Sequence, residues 1–193
     1  RTEPVIRIAS DTNNVAWFQA DAGLARFNGT QWDNISLGSF GITLSEIRGF
    51  YTRGNEFFIL SNKGLLRYNT ASYSNQPQEL FAKSNAGFFN DTIIDVIFTD
   101  RLWILNGNGL SFMKNNLWVH QWDTLITGFA ISNDTCYVAT AGYGVSRYLY
   151  TVDGITTASQ YRTDYGGQIN DTVYSVFIAT DRTQWYGTAE GVY

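Results

Sequence analysis

A repeat of about 42 residues constrains the fold of this chain more than any other feature. Each of five segments has an apolar run, a polar turn, an aromatic-led run, and then a glycine followed by leucine or valine. The repeat glycines are Gly23, Gly64, Gly109, Gly144 and Gly191, at spacings of 41, 45, 35 and 47 residues. This period is typical of one four-stranded β-propeller blade, a unit that cannot bury its apolar faces without neighbouring blades.

An aromatic residue precedes each repeat glycine at a nearly constant distance. The aromatic residue lies six positions before the glycine in four units and seven positions before it in the fourth unit. These residues are Trp17, Phe58, Trp103, Tyr137 and Trp185. Side chains that recur at one equivalent position are typical of a shared core. We therefore predict that they pack between blades and do not form a platform for sugars.

The rest of each unit predicts strands and tight turns. The first turns are predicted at residues 11–14, 54–55, 133–134 and 181–182, where short polar residues and glycine favour turning. The repeat glycine is predicted to have a positive φ angle at the next turn. Asn28-Gly29 and Asn115-Asn116 are predicted as two-residue hairpin loops. No segment has a sustained helical period, so we expect no helix longer than one turn, and a loop at Ser74–Gln78.

These patterns predict an all-β fold, a β-propeller of about five four-stranded antiparallel blades whose first strands line a central axis. The predicted blades are residues 5–46, 47–92, 93–125, 126–169 and 170–193, within one domain of residues 1–193. The fifth unit lacks an outer strand. We therefore expect the array to belong to a larger ring that is completed by chain outside this sequence.

Composition and charge exclude several classes of function. The net charge is −4, and the 13 basic residues are scattered singly, whereas nucleic-acid binding needs a basic stripe. No apolar run approaches the ~18 residues that cross a bilayer, so no membrane insertion is expected within the chain. Cys136 is the single cysteine, which rules out an internal disulfide.

The residues that could carry chemistry are better explained by structure. His120 is predicted on the outer strand of the third blade, and Cys136 is predicted to be a small buried residue. Acidic residues recur at the first turn, and arginines recur three residues after the glycine, where a structural role is favoured over an anion site. These are Asp11, Asp100, Asp134 and Asp181, and Arg26, Arg67 and Arg147. No catalytic motif is present, so we expect a protein that is not an enzyme and uses no cofactor or metal.

The residues just before the repeat glycines differ from unit to unit while the surrounding pattern repeats. They are Asp21, Lys63, Asn108, Tyr143 and Glu190. A binding surface built on a repeated scaffold has this property, although ordinary loop variability also produces it. We take the five residues as candidate ligand-binding positions for a glycan or a small molecule. Tyr143 is the strongest of them, because a one-residue insertion places an aromatic side chain in its loop.

Several segments resemble the two-component-regulator propeller repeat. They are QWYGTAEGVY at 184–193, DAGLARFNGTQW at 21–32 and NKGLLRYNT at 62–70, with NDTIIDVIFTD and NDTVYSVFIATD opening the third and fifth units. The resemblance implies the sensor region of a bacterial regulator, in the periplasm or at the cell surface of a Gram-negative bacterium. It leaves two alternatives open. One is a structural or assembly propeller that docks a protein partner at the envelope, as in type IX secretion, and a weaker one is a propeller lyase or glycosidase.

Overall fold

The described part of the chain folds into five antiparallel sheets of three or four strands each. The computed structural model describes residues 4–72, 77–107, 109–121, 125–151, 155–161 and 170–193. In every sheet the strands follow one another in sequence order. The chain forms two compact units, one ending at Phe98 and one beginning at Thr99. The prediction of an all-β fold made of successive antiparallel sheets is therefore confirmed.

The first unit contains two whole sheets and the first strand of the third. The first sheet is β1 (Val5–Ser10), β2 (Ala16–Ala20), β3 (Gly23–Phe27) and β4 (Trp32–Ile35). The second sheet is β5 (Ile47–Arg53), β6 (Glu56–Ser61), β7 (Gly64–Asn69) and β8 (Glu79–Phe81), and β9 (Ile93–Phe98) begins the third. Short 3-10 turns lie at Gly38–Phe40, Leu44–Glu46 and Thr70–Ser72, and α1 (Lys83–Ala86) is a single helical turn.

The second unit contains the remaining strands. The third sheet continues with β10 (Leu102–Asn106), β11 (Gly109–Lys114) and β12 (Leu117–Gln121). The fourth sheet is β13 (Ile126–Ser132), β14 (Thr135–Thr140), β15 (Val145–Tyr150) and β16 (Ile155–Tyr161). The fifth sheet is β17 (Val173–Ile178), β18 (Gln184–Thr188) and β19 (Gly191–Val192). Among the described residues, no helix has the length and apolar character to cross a bilayer.

The repeat glycines occupy equivalent places in all five sheets. Four of them are the first residue of the third strand, and Gly144 directly precedes that strand. Gly64, Gly144 and Gly191 have φ angles of 131°, 67° and 128°, as predicted. Gly23 lies outside the positive-φ region, so the prediction is wrong for that unit.

The predicted first turns are present between the first and second strands. Asn14, Gly54, Asn133 and Arg182 have positive φ angles there. The two-residue loop at Asn115-Asn116 is confirmed, with φ angles of 51° and 62°.

The two-residue loop predicted at Asn28-Gly29 is wrong, because that loop spans four residues. The side chain of Asn28 accepts hydrogen bonds from the amides of Thr30 and Gln31, which holds the longer turn closed. Most of the loop predicted at Ser74–Gln78 lies outside the described residues.

The anchor aromatics form the contact between consecutive sheets. Trp17 stacks on Phe57 of the second sheet at 3.9 Å between ring centroids and meets Tyr68 edge-on at 5.0 Å. Trp103 meets Tyr150 of the fourth sheet edge-on at 5.1 Å. Both tryptophans are 0% exposed. The recurrence of one geometry in both units confirms the predicted packing role for these two residues.

The other anchors differ in their exposure. Phe58 and Tyr137 are buried as predicted, and Tyr137 packs in one cluster with Val173 and Tyr186 of the fifth sheet. Trp185 is 48% exposed, because no described sheet lies on its face. For Phe58 and Trp185, packing between blades stays a prediction.

A buried carboxylate ties the first turn of the first sheet to this core. Asp11 accepts hydrogen bonds from the amides of Asn13 and Val15 and from the indole N–H of Trp17. A buried acceptor with three donors is well satisfied, and a buried indole N–H also needs a partner. The structural role predicted for Asp11 follows from these bonds.

The turn before β7 requires glycine at position 64, which gives a direct test of the repeat. A Cβ atom at Gly64 would lie 2.3 Å from the carbonyl oxygen of Phe81, and its φ angle is unfavourable for other residues. We expect Gly64→Ala to lower the free energy of unfolding by at least about 2 kcal/mol in urea titrations. Gly23→Ala is the matched control, since its Cβ would meet open space. Equal losses in the two variants would contradict this account.

Candidate functional site

Three of the turns that carry candidate binding residues, those of Lys63, Tyr143 and Glu190, share one hydrogen-bonding device. A hydroxyl side chain at the end of the second strand donates to the carbonyl of the repeat glycine. The same hydroxyl accepts a hydrogen bond from the amide of the residue before that glycine, and these bonds measure 2.7–3.1 Å. The three sets are Ser61 with Gly64 and Lys63, Thr140 with Gly144 and Tyr143, and Thr188 with Gly191 and Glu190. These bonds fix the backbone of the candidate residue in each of the three turns. The side chain of that residue differs from one repeat to the next.

Sequence reasoning missed this device, although its signal is simple. Serine or threonine stands three or four residues before the glycine in these units. The first unit has Ala20 at that position, paired directly with Gly23. Alanine has no hydroxyl that could hold the glycine carbonyl, and Gly23 lies outside the positive-φ region.

In the compact unit that ends at Phe98, the side chain of Lys63 is held by contacts within the protein. Its Nζ lies 3.2 Å from Oε1 of Glu46 and donates to the carbonyl of Gly41 at 2.6 Å. Glu46 also accepts hydrogen bonds from the amide and hydroxyl of Thr43. The bond from the Thr43 amide is the main reason that the pKa of Glu46 is lowered from its ordinary value. Lys63 thus fastens its turn to the connection between the first two sheets.

Asp21 is exposed and lies beside a surface pocket of about 440 Å³. The pocket is lined by Ile6, Gln19, Ala20, Asp21, Thr43, Leu44 and Ser45. The amide group of Gln19 donates to the carbonyl of Leu44 and accepts from Nη1 of Arg7, which fixes one wall. A concave site with a carboxylate at its rim and a fixed polar wall can hold a small hydroxylated ligand.

In the compact unit that begins at Thr99, two candidate turns contact the segment that precedes β17. The amides of Gly142 and Gly144 both donate to the carbonyl of Asp171, at 2.9 and 2.7 Å. Oε1 of Glu190 accepts from Nδ2 of Asn170 at 2.8 Å. The structure therefore places the turns of Tyr143 and Glu190 against the segment Asn170–Thr172.

The side chains at these two turns differ in their surroundings. The Glu190 carboxylate is used in the contact with Asn170, whereas Tyr143 is 52% exposed. Asn108, the fifth candidate, lies outside the described residues.

Two polar clefts that the sequence did not indicate lie at the opposite ends of the strands, one in each unit. Each has a volume of about 470 Å³. The first is lined by Asp11, Asn13, Val15, Arg26, Asn28, Thr30, Asp33, Asn55, Thr70 and Ala71, and the second by Thr99, Asp100, Arg101, Asn133, Asp134, Tyr150 and Thr151. Arg26, which lines the first cleft, lies over the rings of Trp17 and Tyr68. Arg101, which lines the second cleft, lies over the rings of Trp103 and Tyr150.

The residues singled out for catalytic chemistry lie in structural settings. His120 is on β12, the outer strand of its sheet as predicted, and its Nδ1 is 2.9 Å from the hydroxyl of Ser111. Cys136 is fully buried, and burial raises the pKa of its thiol well above its usual range. A thiol held in its neutral form is a poor nucleophile, so Cys136 fits the core role predicted for it.

Comparison with known proteins identifies the fold. No protein-family model matches the sequence, and no curated protein matches it. Solved structures with propeller-like folds match it over nearly its whole length. One is the extracellular domain of BT3049 of B. thetaiotaomicron, a protein assigned to the hybrid two component systems. Its TM-score is 0.70 at 15% identity, and the match covers 100% of this chain and 28% of that one.

Two further structures extend the comparison beyond bacteria. YCF48 from Cyanidioschyzon merolae matches with a TM-score of 0.61 at 13% identity, over 97% of this chain and 68% of that one. The N-terminal domain of Nup159 matches with a TM-score of 0.60 at 11% identity, over 93% of this chain and 51% of that one. Of the BT3049 domain described above, this chain spans 28% of the length. At these identities the likeness establishes a propeller-like fold.

The hydroxyl device at the turns is testable at Thr140. Thr140→Val keeps the shape of the side chain but leaves the amide of Tyr143 without its acceptor. We expect the free energy of unfolding to fall by about 1–3 kcal/mol, measured by urea titration. The control is Thr52→Val, because Thr52 is a partly buried strand residue whose hydroxyl has no hydrogen bond to any described residue. A loss of the same size in the control would show that the Thr140 hydroxyl has no special role.

Proposed function

We propose that this chain is a non-catalytic recognition module, the sensor region of a bacterial two-component-type regulator, and that it binds a glycan or a similar small solute. Its five sheets are then successive blades of a larger propeller ring. The module works in the periplasm or at the cell surface of a Gram-negative bacterium. Binding takes place at the turns that precede the repeat glycines.

The observation that carries this proposal is the contrast between fixed backbone and varied side chains at these turns. Ser61, Thr140 and Thr188 hold the backbone in the same way, while the residues that follow carry different chemistry. Tyr143 offers an exposed aromatic ring, and Asp21 places a carboxylate at the rim of a pocket. Aromatic rings and placed polar groups are both features of ligand sites, and each of the two compact units supplies its own candidate side chain.

The likeness to BT3049 supports the assignment to sensing. The fold is shared over the whole of this chain, and the matched protein is the extracellular part of a two component system. The sequence resemblance of the glycine-centred motifs at 21–32, 62–70 and 184–193 points in the same direction. Together they favour an extracytoplasmic sensor over the other roles that a propeller can have.

A second candidate function is favoured by one surface. Phe177, Trp185 and Val192 lie on the same face of the fifth sheet, and all three are exposed. Exposed apolar patches of this kind commonly mark protein interfaces. A structural or assembly propeller that docks a protein partner at the envelope would use such a face.

Glycan binding by the purified chain tests the leading proposal. We expect an envelope-glycan panel to contain a ligand whose affinity falls about tenfold or more in Tyr143→Ala, since losing a buried aromatic contact costs at least about 1.4 kcal/mol. Asp21→Ala should also weaken binding. Phe177→Ala is the matched control, because Phe177 is 64% exposed but pairs with Trp185, toward the end of β17 that lies opposite the Glu190 turn. Calorimetry gives the affinities.

Two results would count against this proposal. Binding that is unchanged in both Tyr143→Ala and Asp21→Ala would place the site elsewhere. A chain that binds no glycan, but binds an envelope protein in a manner sensitive to Trp185→Ser, would favour the assembly function instead.

A further inference from the structure

One arginine position recurs in three sheets and has a fixed neighbour across the third and fourth strands. Arg26, Arg67 and Arg147 stand three residues after the repeat glycine. Their partners in the strand register are Asp33, Glu79 and Ser159. Residues directly opposite each other in adjacent strands have neighbouring side chains, so each partner is well placed to contact its arginine.

In the first two sheets the arginine is neutralised by acidic side chains. Nε of Arg26 lies 3.0 Å from Oδ2 of Asp33. Arg67 lies 3.4 Å from Glu79 and 2.8 Å from Glu56. These contacts match the structural role predicted for the two arginines.

The third sheet replaces both members of the pair together. Phe112 occupies the arginine position, and its register partner is Val119. This sheet therefore pairs two apolar side chains where the first two sheets pair opposite charges. In all three sheets the two neighbouring side chains are chemically matched.

The fourth sheet breaks this matching. Arg147 faces Ser159, which has no charge. Nε of Arg147 and Oγ of Ser159 are both buried and have no hydrogen-bond partner in the part of the chain that the structure describes. An unsatisfied buried polar group costs about 1–3 kcal/mol, and more when it is charged. Both residues are partly exposed as a whole, so a small ligand can reach the side chains, and a shift of these side chains would uncover the two buried atoms.

We propose that Arg147 and Ser159 form a binding site for a carboxylate of an acidic sugar. The ligand carboxylate takes the place that Asp33 has beside Arg26. A guanidinium group suits a planar carboxylate, because two parallel N–H groups can donate to its two oxygens. The hydroxyl of Ser159 supplies a further donor. The class of sugar rests on the proposed function, whereas the carboxylate site follows from the unmatched pair itself.

Sodium glucuronate is the probe for this site, and glucose with equal sodium chloride is its neutral counterpart. We expect glucuronate to raise the melting temperature of the chain and to give a measurable affinity by calorimetry, and glucose to do neither. Arg147→Gln should weaken glucuronate binding by about tenfold or more, the effect of losing a charge-assisted contact worth about 1.4 kcal/mol. Arg67→Gln, which changes an arginine that already has acidic partners, should leave binding unchanged.

Ser159→Asp keeps the test informative even where Arg147→Gln folds poorly. The new carboxylate should pair with Arg147, raise the melting temperature without ligand, and abolish the response to glucuronate. Glucuronate binding that persists in Ser159→Asp, or that is matched by glucose, would overturn the carboxylate site. Binding of a neutral glycan that depends on Tyr143 but is unaffected by Arg147→Gln, in a chain that does not bind glucuronate, would overturn this inference and leave the proposed function standing.

Discussion

The burial of an aromatic ring between consecutive sheets is the contact on which the described architecture depends. Trp17 is covered by Phe57 and Tyr68, and Trp103 is covered by Tyr150. Aromatic pairs of this geometry contribute about 0.5–1.5 kcal/mol beyond the burial of their area. Because a single sheet has two apolar faces, the contact must be repeated for each sheet to remain folded. The repeat in the sequence exists to supply that ring at a constant position.

In both compact units an arginine lies over the buried aromatic rings, but it comes from a different strand position in each. In the first unit the cation over the rings is Arg26, from the third strand of its sheet. In the second unit it is Arg101, from the turn before β10. Arg26 and Arg101 each line a cleft, and both clefts have a volume of about 470 Å³. The two arginines come from different positions in the repeat, yet both lie over aromatic rings. The attraction of the rings for a cation is therefore kept where the position of the arginine is not.

The sequence predicted well those features that depend on local periodicity. The strands and the place of the glycines followed from the alternation of apolar and turn residues, as at Gly64. It predicted poorly those features that depend on contacts between distant segments. The 48% exposure of Trp185 depends on which sheet lies against its face, and its own sequence context does not report that. The missing acid beside Arg147 became visible only when the strand register identified Ser159 as its neighbour.

For the candidate site as well, the sequence predicted the local pattern and not the contacts between distant segments. The variation among Asp21, Lys63, Tyr143 and Glu190 was visible in the sequence. Their availability was not, because it depends on partners far along the chain, such as Glu46 for Lys63 and Asn170 for Glu190. Side chains that look equivalent in an alignment therefore contribute unequally to a surface.

The exposed ring of Trp185 also affects how the second unit opens. In a repeat protein, the stability of each element is the sum of its own term and those of its interfaces. The fourth sheet packs on Trp103 through Tyr150 and on Tyr186 through Tyr137, whereas the fifth sheet is covered on one face within the described chain. Any sheet or protein partner that covers this face would then slow amide hydrogen exchange in β17–β19.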